Sequence, residues 1–149
     1  MVRRIEASLV RGGFKVTRDS VAGRQAVIAR TARMRARSRR HVFVLVALFK
    51  AGMAGREHLD RFLGEAGQYA KTVKGGLASG KTAVAVAVVE AAGEDGGWAR
   101  TASERPRGGG AFAFPVLVDA LGRSVTCPET PADLLRLVDE HVGASVRMV

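Results

Sequence analysis

The segment His41–Phe49 constrains the fold of this chain more than any other segment does. It reads HVFVLVALF, so apolar residues stand at odd and even positions alike, and many of them are β-branched. A strand of this composition is typical of the centre of a sheet, where both faces are buried. Other elements of the chain must therefore cover this strand on both sides.

Three further patterns predict helices. Apolar residues at helical spacing predict a helix over Val2–Val10, which Gly12 and Gly13 end. Arg56–Val73 has an apolar stripe in steps of three and four, typical of an amphipathic helix. Thr130–Asp133 has the capping residues of a helix start. The predicted buried stripe of that last helix comprises Leu134, Leu135, Val138 and Val142.

Strands are predicted between these helices. In Thr82–Ala91 valines alternate with Ala83, Ala85 and Ala87, which indicates a strand with a smooth alanine face that another element can approach closely. Pro115 makes its strand an edge strand or a bulged one. We expect turns at Val21–Arg24 and Ser38–Arg40. The other predicted strands are Phe14–Arg18, Gln25–Ala36, Ala111–Asp119 and Ser124–Cys127.

These elements give the order α-β-β-β-α-β-(α)-β-β-α, in which Trp98–Glu104 supplies the bracketed helix. The chain has 149 residues and no linker or repeat, so we expect one domain over residues 1–149. The predicted fold class is α+β, with a mixed or mostly antiparallel sheet of about five to six strands.

The first part of this order resembles the α-β-β-β-α-β core of restriction-endonuclease-like nucleases. The resemblance is one of element order only. It implies an acidic residue on the second strand and Glu-x-Lys or Asp-x-Lys on the third, which together hold a metal ion. Here those strands read VIARTARMRA and HVFVLVALF, without a carboxylate. We therefore expect no catalytically active member of that group, while a non-catalytic relative remains open.

Positive charge is concentrated in the first part of the chain. Residues 1–40 hold 12 of the 24 basic residues and only two acids, so they carry the entire net charge of +10. Arginine outnumbers lysine, and its planar fork suits phosphate. A GC-rich genome would also enrich arginine, alanine and glycine. The asymmetry favours a surface that faces a polyanion.

The densest basic segment is Arg30–Arg40. Arg33, Arg35, Arg37 and Arg39 recur at every second position, so on one strand they would form a continuous row able to follow a phosphate backbone. The predicted polyanion-binding residues are Arg30, Arg33, Arg35, Arg37, Arg39 and Arg40. A solvated strand face, or docking of an acidic protein partner, would explain the same pattern.

A second motif, GGLASGKT at residues 75–82, matches the phosphate-loop pattern G-x-x-x-x-G-K-[ST]. It makes nucleotide binding an alternative, with Gly75, Gly80, Lys81 and Thr82 around the phosphates and Asp119 as the acidic residue that holds Mg²⁺. The flanking patterns differ from the usual strand–loop–helix context, because a helix enters and a strand leaves. A glycine-rich connection with a solvated lysine is the simpler interpretation.

The remaining residues suggest no catalysis, cofactor or metal site. The three histidines share no metal-ligand spacing, and His141 fits a structural role near a helix end. The single cysteine, Cys127, cannot form an internal disulfide. No apolar run reaches the length of a membrane span, so we expect a cytoplasmic, bacterial, non-enzymatic protein that binds nucleic acid or an acidic surface, with homo-oligomerisation open.

Overall fold

The computed structural model describes residues 1–35, 38–49, 56–72, 80–89, 112–120, 123–126 and 132–147. The helices are α1 (Val2–Arg11), α2 (Arg56–Thr72), α3 (Ala132–Val138) and α4 (Ala144–Arg147), with a π-helical turn (Asp139–Gly143) between the last two. The strands are β1 (Lys15–Val21), β2 (Arg24–Arg35), β3 (Ser38–Phe49), β4 (Gly80–Val89), β5 (Phe112–Asp119) and β6 (Ser124–Thr126). We call α3, the π-helical turn and α4 together the C-terminal helix.

The six strands form one mixed sheet in the order β1-β2-β3-β4-β5-β6. The first three are antiparallel neighbours, β3, β4 and β5 run parallel to one another, and β6 returns antiparallel to β5. This confirms the expected α+β class and mixed sheet. The predicted helix over Trp98–Glu104 lies outside the described residues.

The two faces of the sheet pack against different helices. On one face, Phe43 and Leu45 of β3 pack with Leu59 and Phe62 of α2. On the other, Val44 of β3 belongs to a cluster that draws on α1 and the C-terminal helix, through Ile5, Leu9, Leu134, Leu137, Val138, Val142 and Val146. We call these the α2 face and the α1 face. The prediction that β3 is buried on both sides is confirmed.

Strand β4 shows the predicted division between alanine and valine. Ala83, Ala85 and Ala87 lie in the α2-face cluster, and Val84 lies in the α1-face cluster. All four are fully buried. The small alanine side chains let α2 approach the sheet closely.

Two predicted boundaries change. Ser38–Arg40 is the first part of β3 rather than a turn, because its residues pair with the end of β2 from Arg35 to Arg33. Strand β5 lies between β4 and β6 in the sheet. However, β6 pairs only with Leu117–Asp119. Pro115 therefore has a described neighbouring strand on one side alone, which is β4. A proline is tolerated at such a locally open edge.

The C-terminal helix buries a slightly different stripe from the predicted one. Leu134 and Val138 are buried as expected, but Leu135 is 46% exposed and Leu137 takes its place in the core. The buried positions then follow steps of three and four along the helix, which Leu135 does not fit. The capping residues Thr130 and Pro131 lie outside the described residues.

His141 joins the π-helical turn to α1. Its side chain is buried, a 3.0 Å hydrogen bond connects its Nδ1 to Ser8 Oγ, and its ring packs edge-on against Phe14 at a centroid distance of 5.3 Å. Ser145 Oγ donates to the His141 carbonyl oxygen at 2.6 Å. His141 therefore connects distant parts of the chain. It is not at a helix end as predicted, because the helix continues to Arg147. Gly12, just after α1, gives the ring its space, because a Cβ there would lie 2.6 Å from His141 Cε1.

We expect Gly12→Ala to destabilise the protein by about 1–3 kcal/mol, because the new methyl group overpacks the His141 ring. The matched control is Gly64→Ala in α2, where an added Cβ meets nothing within 4 Å. The control should stabilise the fold by up to about 1 kcal/mol, because alanine is the better helix former. Urea unfolding monitored by circular dichroism measures both. Equal stabilities of the two variants would contradict the close packing at Gly12.

Tyr69 of α2 lies beside Asp19 of β1, so it links the helix to the first strand of the sheet. Burial, and then the charge of Asp19 and its hydrogen bond with the phenol, raise the pKa of Tyr69 above its ordinary value of 10.0. A raised pKa in the folded state means that folding favours the protonated phenol. The contribution to stability is therefore complete below pH 10 and declines as the pH rises through the raised value.

We expect the unfolding free energy to fall above pH 10 in the native protein, and to fall less in Tyr69→Phe. Tyr69 is the only tyrosine, so an absorbance titration of tyrosinate reports this residue alone. The titration midpoint should lie above 10.0 in the folded protein and return to about 10 in urea. A folded midpoint at or below the urea value would contradict the contact with Asp19.

Candidate polyanion interface

The predicted arginines lie at the β2–β3 hairpin. Strand β2 contains Arg30, Arg33 and Arg35, and β3 contains Arg39 and Arg40. The register pairs Arg33 with Arg40, so their Cα atoms are only about 5 Å apart across the antiparallel pair. The sixth predicted residue, Arg37, lies outside the described residues.

The expectation of one continuous basic row is wrong in its geometry. It required Arg33, Arg35 and Arg39 to lie on a single strand, but β2 ends at Arg35 and β3 begins at Ser38. The chain therefore folds the basic segment back on itself. The arginines occupy two adjacent strands, and the register places Arg39, the partner of Met34, on the other face of the hairpin from Arg33, Arg35 and Arg40.

This part of the hairpin extends beyond its neighbours. Strand β1 pairs with β2 only from Arg24 to Arg30, and β4 pairs with β3 only from Arg40 to Phe49. Residues 31–35 of β2 lie beyond the end of β1. They pair with residues 38–42 of β3, and no described strand lies on their other side. We call residues 31–35 and 38–40 the arginine ribbon. Its five β2 residues extend about 15 Å past the end of β1.

The second sequence motif begins β4 beside the base of the ribbon. Gly80 pairs with Arg40, Lys81 with His41, and Thr82 with Val42. Neighbouring strands are about 4.8 Å apart, so Lys81 adds a basic position next to the arginines. Sequence reasoning missed this arrangement because neither motif indicates which strands are neighbours.

The geometry of a nucleotide-binding phosphate loop is not met. In such a site a helix begins at the lysine and hydroxyl residues, and its N-terminus faces the phosphates. Here Lys81 and Thr82 belong to a strand. Asp119 pairs with Val89 at the other end of β4, about 26 Å along the strand from Lys81. One Mg²⁺ ion cannot contact both ends, and Gly75 lies outside the described residues.

Charge is distributed unevenly along the sheet. The described strands contain two acids, Asp19 of β1 and Asp119 of β5. Asp19 pairs with Ala26, and Asp119 pairs with Val89, so both are near the end of the sheet opposite the ribbon. No acid occurs between Asp19 and Glu57. The strand register therefore separates a basic end of the sheet from an end that holds its acids.

Two arginines of β2 stack on phenylalanines of β3. The guanidinium of Arg30 lies 5.4 Å from the ring centroid of Phe43, and that of Arg24 lies 4.1 Å from the centroid of Phe49. Such cation–π contacts hold the charged group against the apolar surface. Arg30 is thus half-buried at the base of the ribbon, where it packs on the core in addition to adding charge. Its register partner on β1 is Lys15, another basic residue.

The acidic residues of a restriction-endonuclease-like metal site are not present on β2 or β3, which contain no Asp or Glu. More widely, no group of three His, Cys, Asp or Glu residues within the described ranges could hold a metal ion. No helix in those ranges is both long and apolar enough to cross a membrane. No protein-family model, curated protein or solved structure matches this chain.

Proposed function

We propose that this chain binds duplex nucleic acid, with the arginine ribbon in a groove and the basic end of the sheet against the phosphates. The observation that carries the proposal is the overhang of the β2–β3 hairpin, by residues 31–35 beyond β1 and by residues 38–39 beyond the described start of β4, at the end of the sheet where the described strands hold no acid. The major groove of B-form DNA admits a two-stranded β-ribbon. The ribbon has this architecture, and its sequence is rich in the residue that best contacts phosphate and guanine.

The register also suggests how the base of the ribbon would contribute. Lys15 pairs with Arg30 and Lys81 pairs with His41, so basic positions flank the ribbon on β1 and β4. Contacts of this kind neutralise phosphates and fix the position of a protein on the duplex. Most of the affinity would then be electrostatic, independent of sequence and strongly dependent on salt.

Duplex is the favoured form of nucleic acid because the ribbon lacks stacking residues. No Phe, Tyr or Trp occurs between Arg30 and Val42. Proteins that bind single strands without sequence preference use aromatic side chains as stacking platforms. The major groove of A-form RNA is too deep and narrow for side chains to read, which favours DNA over double-stranded RNA.

Replacing Arg33, Arg35, Arg39 and Arg40 by Gln should weaken binding to duplex DNA and flatten its salt dependence. If each arginine neutralises one phosphate, the slope of log K against log salt becomes about 3.6 less steep. Fluorescence anisotropy of labelled duplex across a salt series measures the slope. Circular dichroism establishes that the variant is folded.

The matched control removes four arginines of helices α1, α2 and α3, namely Arg3, Arg11, Arg61 and Arg136, and so lowers the net charge equally. Its slope should change by less than about 1, since these residues lie outside the ribbon. Equal effects of the two variants would mean that net charge alone drives binding. If the native protein fails to bind DNA at low salt, the proposal is wrong and an acidic protein partner becomes the explanation for the ribbon.

A comparison of nucleic-acid forms tests directly whether the arginine ribbon enters the major groove of DNA. We expect duplex DNA to bind at least about tenfold more tightly than single-stranded DNA or double-stranded RNA of the same length, at one salt concentration. Anisotropy competition measures the three affinities side by side. Tighter binding of the single strand would contradict insertion of the ribbon into a groove, even if the ribbon still bound phosphate.

A further inference from the structure

A groove of about 410 Å³ lies between the C-terminal helix and the segment that contains Arg123 and Val125. Apolar side chains of Val125, Leu135, Val138 and Val146 line it, and the guanidinium-bearing residues Arg123 and Arg147 also border it. Its volume falls within the range of about 300–1,000 Å³ that is typical of small-molecule sites. The groove is on the α1 face and is separate from the arginine ribbon.

Leu135 leaves apolar surface open in this groove. Its side chain is 46% exposed, whereas Val138 and Val146, which also line the groove, are almost fully buried. The helix stripe does not require an apolar residue at this position, because Leu134 and Leu137 fill the core on either side. An apolar ligand that covered Leu135 would remove this surface from water.

Arg123 precedes β6 in a tight-turn conformation that Ala22 of the β1–β2 turn also adopts. The φ angle of Arg123 is +53°, in the left-handed region, where glycine or asparagine is the usual residue. Its side chain is exposed and has no ion-pair or hydrogen-bond partner within the described ranges.

The second guanidinium is held across the π-helical turn. Arg147 Nη1 donates to Asp139 Oδ1 at 3.3 Å, and both residues border the groove. The pair lies close to Gly143, where a Cβ would be 3.1 Å from both atoms. Both side chains are exposed, so the pair orients Arg147 only weakly. A guanidinium has five donors, so bonding to Asp139 leaves others for a ligand.

We propose that this groove binds a small amphipathic anion, a monocarboxylate with an apolar chain. The chain covers Leu135 and Val125, the two apolar lining residues that still have exposed surface, and the carboxylate accepts hydrogen bonds from Arg123 and Arg147. Two arginines and one acid give the groove a net charge of +1, which complements a single carboxylate. A π-helical turn, which is rare and often occurs at functional sites, shapes one wall.

The test uses displacement of a fluorescent probe, anilinonaphthalene sulfonate, from the full-length protein at physiological salt. Octanoate should displace the probe, whereas octanol and acetate should displace it at least about tenfold more weakly, because the site needs both the chain and the carboxylate. If octanol competes as well as octanoate, the arginines do not bind a carboxylate and the proposal is wrong.

Two variants locate the site. Arg123→Gly removes the guanidinium and suits the positive φ angle, so it should fold normally and bind octanoate about fivefold to tenfold more weakly. Its matched control, Arg136→Gln, changes an exposed arginine of the same face that does not line the groove. Native affinity in Arg123→Gly, or an equal loss in Arg136→Gln, would overturn the assignment.

Leu135→Glu places a negative charge in the groove and should abolish octanoate binding. Its matched control is Leu48→Glu, at a leucine that is 43% exposed on β3 and does not line the groove. The variant that lacks four ribbon arginines should bind octanoate as the native protein does. Loss of octanoate binding in that variant or in Leu48→Glu would mean that the carboxylate binds outside this groove.

Discussion

The burial of β3 on both faces is the constraint on which the rest of the fold depends. Val44 and Leu45 are adjacent and point to opposite faces, yet both are fully buried. Since neither face can meet water, α2 must cover one of them and α1 with the C-terminal helix must cover the other. Helix α1 and the C-terminal helix, which together cover the α1 face, are more than 120 residues apart in the chain. The Ser8–His141 hydrogen bond joins them. The close fit of Gly12 against His141 therefore follows from the need to cover a central strand.

The same burial places charge at the ends of the strands. Residues 42–47 of β3 and 83–89 of β4 lie in the core, where an unpaired charge would cost several kcal/mol. Because β3, β4 and β5 are parallel, they all begin at the same end of the sheet. Arg39, Arg40 and Lys81 occur within the first residues of their strands, so strand direction alone brings them to one end. Asp119 occurs at the last residue of β5 and so lies at the other end.

Sequence periodicity predicts the elements well, because the burial of a face leaves a local pattern. The alanine face of β4 and the two-sided burial of β3 are examples that the structure confirms. The arginine row fails for a different reason: its spacing of two is real, but the strand ends at Arg35, and no periodicity shows where a hairpin reverses. The neighbours of Lys81 depend on strand order, which is not a local property. His141 lies in the π-helical turn, which leaves no composition signal of its own. Leu135 precedes that turn and is exposed because the buried stripe follows Leu134, Leu137 and Val138.

Placement, more than motif content, decides what chemistry this sheet can perform. GGLASGKT matches a phosphate loop residue by residue, yet its last three residues begin a strand and Asp119 is a strand length away. The element order resembles that of restriction-endonuclease-like nucleases, but β2 and β3 contain no Asp or Glu. A carboxylate at Val44 would be buried among valines without a partner, so this sheet cannot hold a metal ion there without repacking.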